Sequence, residues 1–141
     1  MAGSICAAQA AAFRRELRTA DRVWTLIGDG QYIAPHKPDG TRAMPFWSRE
    51  SRAQKVASRV PAYHGLDVHP IPLTYWFGDF VPWLGAEGIL LGINWSGERA
   101  VGYDVTASTM AAWFPPDVAT TPPGPSGSPA TQAVVRSAEV R

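Results

Sequence analysis

Val23-Trp24-Thr25-Leu26-Ile27, then Gly28-Asp29-Gly30, then Gln31-Tyr32-Ile33, is the stretch on which the fold class turns. A β-branched and aromatic run that meets a Gly-Asp-Gly turn signal and resumes with Tyr and Ile reads as a β-hairpin. On the N-terminal side of this stretch, Ala10, Phe13, Leu17 and Ala20 recur at spacings of three and four, while Arg14, Arg15 and Arg18 hold the other face. That spacing predicts an amphipathic helix over Ser4–Ala20 lying on the sheet to which the hairpin belongs.

Toward the C-terminus, Pro35-His36-Lys37-Pro38-Asp39-Gly40 is too rich in proline for a strand and leads into a third strand, Arg42-Ala43-Met44-Pro45-Phe46-Trp47. Ser48 occupies the N-cap slot of a second helix that carries Ala53, Val56, Ala57 and Val60 inward and stops at Pro61. Its other face bears Arg52, Lys55 and Arg59, a stripe that reads as a solvated helix face or as a site for an acidic partner. Leu66 to Ile71 alternates apolar with polar, as a half-buried strand does, and Pro72 ends it or puts it at an edge.

Leu73–Leu84, with Thr74 as a possible cap, is helical by length. Its aromatic residues cover more than one face, so it is either buried on two sides or turned toward a partner. Gly88 to Trp95 is a near-continuous apolar run, as in a central strand, and Ser96-Gly97-Glu98-Arg99 turns it into Ala100–Val105. Thr106 caps a last helix that Pro115-Pro116 closes. The order α-β-β-β-α-β-α-β-β-α predicts an α+β fold: a mixed, mostly antiparallel sheet of about six strands covered by helices. Residues 1–114 form one domain, and 115–141, rich in Pro, Gly, Ser and Thr, read as a disordered tail in which Val134-Val135 is the one candidate docking segment.

Composition narrows the function classes. With 141 residues, 13 basic and 12 acidic side chains and 45% apolar residues, the chain is neither a charged disordered polymer nor a membrane protein. A domain of this size buries about 60–70% of its extended surface, enough for one core without staples. The single cysteine, Cys6, excludes an internal disulfide and a multi-cysteine zinc site. Residues 1–60 carry a net charge of about +5 and residues 61–110 about −4; interleaved in one sheet, these fields largely cancel. Met1–Ala12 is alanine-rich, but no basic residue precedes it and Gln9 interrupts it, so a cytoplasmic location is expected rather than secretion. The most apolar stretch, Ile71–Leu84, is too short and too polar to span a bilayer.

Five motifs occur in order: Val23-Trp24-Thr25-Leu26; Asp39-Gly40 with Met44-Pro45-Phe46-Trp47-Ser48; Ile71-Pro72-Leu73 with Phe80-Val81-Pro82-Trp83-Leu84; Gly92-Ile93-Asn94-Trp95-Ser96-Gly97; and Gly102-Tyr103-Asp104-Val105. Together they resemble a bacterial family of small single-domain proteins known as a domain of unknown function, over about residues 7–114. The Trp-Ser step at the strand-to-helix corner is also similar to the N-terminal domain of the enhanced-serine-sensitivity proteins. Neither resemblance implies a catalytic residue, and the proline-rich tail lies outside the family pattern.

The residues themselves argue against catalysis. His36, His64 and His69 have no metal-ligand spacing, Ser48 and Ser96 lie in no Gly-x-Ser-x-Gly elbow, and no phosphate-binding glycine loop is present. Cys6 reads as an inert thiol. No metal or cofactor is expected. Three similar steps, Trp24-Thr25, Trp47-Ser48 and Trp95-Ser96, have two readings. Each indole packs under a helix while the next hydroxyl caps a turn, or Trp47 and Trp95 meet at converging strand ends to make a binding floor. On the second reading the binding residues are Trp47, Arg52, Asn94, Trp95, Ser96, Arg99 and Tyr103, and the partner is a protein or peptide. The expected function is a non-catalytic interaction module of immunity or regulatory type. Two alternatives stand beside it: a small enzyme around Arg99, Tyr103 and Asp104, and a weak nucleic-acid binder using Arg14, Arg18, Arg52, Lys55 and Arg59.

Overall fold

The structure is a computed structural model that describes residues 2–97, 101–114 and 135–136, with side chains described over 7–97 and 102–114. Helix α1 (Ala2–Leu17) leads to β1 (Arg22–Gly28) and β2 (Gln31–Ile33). Asp29 and Gly30 both have positive φ, 55° and 74°. This pair of left-handed residues makes the tight hairpin turn whose twist matches its strands. Next come β3 (Arg42–Phe46), α2 (Glu50–Arg59), a 3₁₀ turn (Pro61–Tyr63) and β4 (Asp67–Pro72). A helical run follows as α3 (Leu73–Tyr75), a π-helical turn (Trp76–Phe80) and α4 (Val81–Glu87), then β5 (Ile89–Ser96), β6 (Val101–Val105) and α5 (Ala107–Trp113). Val135–Arg136 form a short β7. The rest of the tail read from the sequence as disordered lies outside the described residues.

The fold is α+β, and the element order of the folded part is the one the sequence predicts. β4 pairs antiparallel with β1, with Arg22 opposite Pro72 and Ile27 opposite Asp67. β4 is an edge strand, where prolines such as Pro70 and Pro72 are tolerated because their missing N–H groups leave no gap in a central ladder. β3 runs parallel to β5, and β5 antiparallel to β6. These strands divide into two sheets, because β2 takes the Ile27–Gly28 end of β1 and leaves only the Trp24 end to the returning chain. There Trp24 and Trp47 exchange backbone bonds of 2.9 and 2.8 Å, which stitch the sheets together.

Two cores result, and the period-two strand pattern assigns residues to them. Val23, Tyr32, Met44, Phe46, Leu91 and Ile93 face the first, under α1, α4 and α5; Leu26, Ile33, Ala43 and Trp47 face the second, with Ala53 and Val56 of α2. The aromatic run 73–84 is packed into the first core: Trp76, Phe80, Val81 and Leu84 are buried, and Phe80 meets Tyr32 at 4.9 Å and Phe46 at 5.7 Å. Thr74 does not cap this run; Leu73 enters it through its N–H on Asp21 O, with Pro72 at the N-cap. The π turn sits just before Pro82, whose ring crowds the carbonyl four residues back. Val81 N–H bonds Trp76 O in the wider turn instead. Thr106 caps α5, its side chain accepting from Thr109 N–H.

Candidate functional site

The ends of β3 and β5 meet, and a break in β5 decides how. Ile89, Leu91 and Ile93 point to the first core, so strict alternation would send Trp95 there too. Asn94 interrupts the alternation with φ 47°, and the pairing with β6 shifts register between Ile93 and Ser96. A bulge of this kind re-aims the side chains that follow it. Trp95 therefore crosses to the second core. Its ring lies so close to Gly92 and Gly102 that a Cβ at either position would collide with it. Trp47 Nε1 donates to Trp95 O at 2.8 Å, and Trp95 Nε1 donates to Asp104 Oδ1 at 2.9 Å, while Asp104 Oδ2 holds Lys37 Nζ at 2.7 Å.

The same bulge aims Asn94 at the start of α2. Asn94 Oδ1 accepts from Ser48 N–H at 3.0 Å and Asn94 Nδ2 donates to Ser48 Oγ at 3.1 Å. Ser48 Oγ in turn donates to Glu16 Oε1 at 2.5 Å. Glu16, on α1 and only 8% exposed, receives Arg52 as a two-pronged fork, Nε on Oε1 at 3.0 Å and Nη2 on Oε2 at 2.5 Å. Arg49 Nε approaches Oε1 at 3.5 Å. The Arg52 hydrogen bonds hold the Glu16 carboxyl below its ordinary range against the opposing effect of burial, with Ser48 and Arg49 adding to the shift. Hydrogen bonding to Glu16 likewise raises Arg52. A buried carboxylate kept ionised in this way stabilises its cations and is a poor base. Ser48, 4% exposed, donates to an anion that has no tendency to take its proton.

This cluster corrects one expectation: Ser48 is not the N-cap of α2. Arg49 occupies that position with no side-chain cap bond. The Ser48 hydroxyl accepts from Asn94 Nδ2 in place of a helix N–H and spends its own proton on Glu16, a charge-assisted bond. The hydroxyls of the other two Trp-Ser/Thr steps also make cross-links: Thr25 Oγ1 donates to Pro45 O at 2.7 Å, and Ser96 Oγ accepts from Gln9 Nε2 at 2.8 Å.

Of the residues singled out from sequence, Trp47, Arg52, Asn94 and Trp95 come together at the strand ends. Both indoles are buried, Trp47 completely and Trp95 at 6% exposure. What reaches solvent there is the guanidinium pair, with side-chain exposures of 63% for Arg49 and 39% for Arg52. Tyr103 is apart from this cluster, 39% exposed and stacked parallel to Trp113 at 6.3 Å, with the Arg14 guanidinium 5.1 Å over the same indole. Arg99 lies outside the described residues. Sequence reasoning missed Glu16 and Arg49. The signal for Glu16 is its place beside the Phe13 and Leu17 stripe, one acid among three arginines.

Shallow open depressions border α2, one lined by Glu50, Ser51, Gln54, Lys55 and Ser58, another between Gln54, Ala57, Leu66 and Val68. Among the described residues, no group of three His, Cys, Asp or Glu could hold a metal ion, and no helix is long and apolar enough to cross a membrane. The family model for a protein of unknown function, DUF2750, matches residues 10–113. The chain belongs to the DUF2750 family. A search of curated proteins gives no match. The matched span of this DUF2750 domain takes in Glu16 and the whole strand-end cluster and closes at Trp113, the last residue of α5.

Proposed function

We propose that this DUF2750 domain is a non-catalytic interaction module that presents Arg49 and Arg52 to an acidic segment of a protein partner. The observation that carries the reading is the Glu16 clamp: a buried carboxylate fixes one guanidinium at two points and draws a second beside it. A guanidinium has five N–H donors, and Glu16 engages only two of those on Arg52, so donors remain to meet carboxylates. Fixing the side chains in advance lowers the entropy cost of binding. Lys55 and Arg59 continue the positive face of α2.

The enzyme reading is less well supported. Both oxygens of Asp104 are engaged, by Trp95 and Lys37, and Tyr103 is packed flat on Trp113. The nucleic-acid reading loses Arg14, one of its five cations, to the face of Trp113. An immunity or regulatory role in the cytoplasm of a bacterium agrees with a small module of this kind.

Affinity purification of the full chain from lysate of its source organism tests the reading. Retention of an acidic protein that falls at raised salt and falls further in Arg49→Ser supports it, because Arg49 is itself exposed and Glu16 keeps Arg52 as its counter-ion in that variant. Retention of nucleic acid in place of protein, or turnover of a metabolite by the purified chain, overturns it.

A further inference from the structure

β2 has committed both of its faces. Tyr32 points into the first core against Phe80, and Ile33 into the second. Beyond Ile33 the chain is engaged by the start of β3: Arg42 Nε donates to Ala34 O at 3.2 Å, and Ala43 N–H to Pro35 O at 3.2 Å. With β1 on one side, the short stretch Gln31–Ile33 can offer a partner only the backbone groups of its other edge. Unpaired edge groups of this kind are a template for another strand. In the structure that edge is occupied from far along the sequence: β7 lies parallel to it, Val135 opposite Tyr32 and Arg136 opposite Ile33.

We propose that the outer edge of β2 is an acceptor site for an extended peptide added in parallel, and that its resident ligand is the chain's own C-terminal segment at Val135–Arg136. Recognition rests on the main-chain ladder, since the Tyr32 and Ile33 side chains are committed to the two cores. Two residues of parallel ladder are a weak contact. Covalent attachment makes the binding intramolecular and supplies the effective concentration that such a contact needs. The site is independent of the arginine pair, which lies at the opposite, Trp24 end of the junction between the sheets.

Full-length chain and a full-length double variant, Val135→Pro with Arg136→Pro, test this by amide hydrogen exchange and NMR. Successive N–H groups of a strand point to opposite sides, and an edge strand tolerates proline where the missing N–H faces solvent, so both positions are replaced to remove the one that faces β2. Exchange in residues 31–34 should quicken about tenfold or more in the double variant while the β5 amides stay protected. A synthetic peptide of residues 130–141, added at millimolar concentration, should shift β2 amides of the double variant and leave the intact chain unchanged.

Unchanged exchange at residues 31–34 in the double variant overturns the proposal, as does a peptide that shifts none of its β2 amides or shifts those of the intact chain equally. Sedimentation decides the source of the strand. A monomeric intact chain agrees with an occupant from the same molecule, and a dimer that dissociates in the double variant assigns β7 to a second copy and overturns the resident-ligand claim.

Discussion

The indole N–H of Trp47 donates to the carbonyl oxygen of Trp95 at 2.8 Å, and this bond joins the end of one parallel strand to the bulged end of the next. Trp47 is fully buried, so the carbonyl has no water to replace the indole if it is removed. Trp47→Phe leaves an unsatisfied buried acceptor and a cavity and should lower unfolding stability by about 2–4 kcal/mol. Chemical denaturation with an unchanged m-value is the check. A loss well under 1 kcal/mol would mean that the strand ends are held by other contacts.

Trp95 sets the limits on its glycine neighbours. The ring occupies the space of a Cβ at Gly92, and at Gly102 an added Cβ would meet Trp95 Cδ1 at 2.9 Å and Gln9 Oε1 at 2.7 Å. The Gln9 amide is the end of a flexible side chain and can move, and the 2.9 Å approach to the indole at Gly102 needs a far smaller shift than the overlap at Gly92. Gly92→Ala should therefore cost about 3 kcal/mol or more, and Gly102→Ala distinctly less, measured as midpoints of thermal unfolding. Equal losses would place the Trp95 ring elsewhere.

Asn94 tests the bulge. Its left-handed φ is tolerated by Asn better than by most residues, and its side chain holds both the N–H and the hydroxyl of Ser48. Asn94→Gly keeps the backbone conformation and loses the bonds; Asn94→Ala loses both. The expected order of stability is wild type, then Gly, then Ala, with the Ala variant lower than the Gly variant by about 1 kcal/mol. Ala equal to Gly would mean that residue 94 is not left-handed in solution.

These residues also mark where the sequence was legible. The hairpin at Asp29-Gly30, the apolar run of β5 and the Thr106 cap follow from local rules, because each needs only neighbours in sequence. The reversal of Trp95 was not legible, since it depends on a single dihedral at Asn94 that a period-two pattern cannot register. Ser48 has the local pattern of a cap but not the role, because the partners of its hydroxyl, Glu16 and Asn94, lie on other elements far along the sequence. Burial of the indoles is one of the two readings that the Trp-Ser steps offer; alternation along β3 carries it for Trp47, whereas for Trp95 the bulge decides which core receives the ring.

Glu16 gives the acid limb of the stability curve a specific origin. Arg52, Ser48 and Arg49 lower its folded pKa from the ordinary value of 4.5. The unfolded chain therefore takes up this proton at a higher pH than the native protein does. The stability that Glu16 contributes is intact above pH 4.5, erodes below it, and is lost as the pH falls through the lowered native value. Glu16→Gln keeps the shape but not the charge. It should be less stable than wild type at pH 7 by about 2–3 kcal/mol, because Arg52 loses its buried counter-ion, and the difference should shrink as the pH falls toward 3. Denaturant titrations of both chains between pH 3 and 7 measure this directly; a constant gap across that range would show that Glu16 does not carry the clamp.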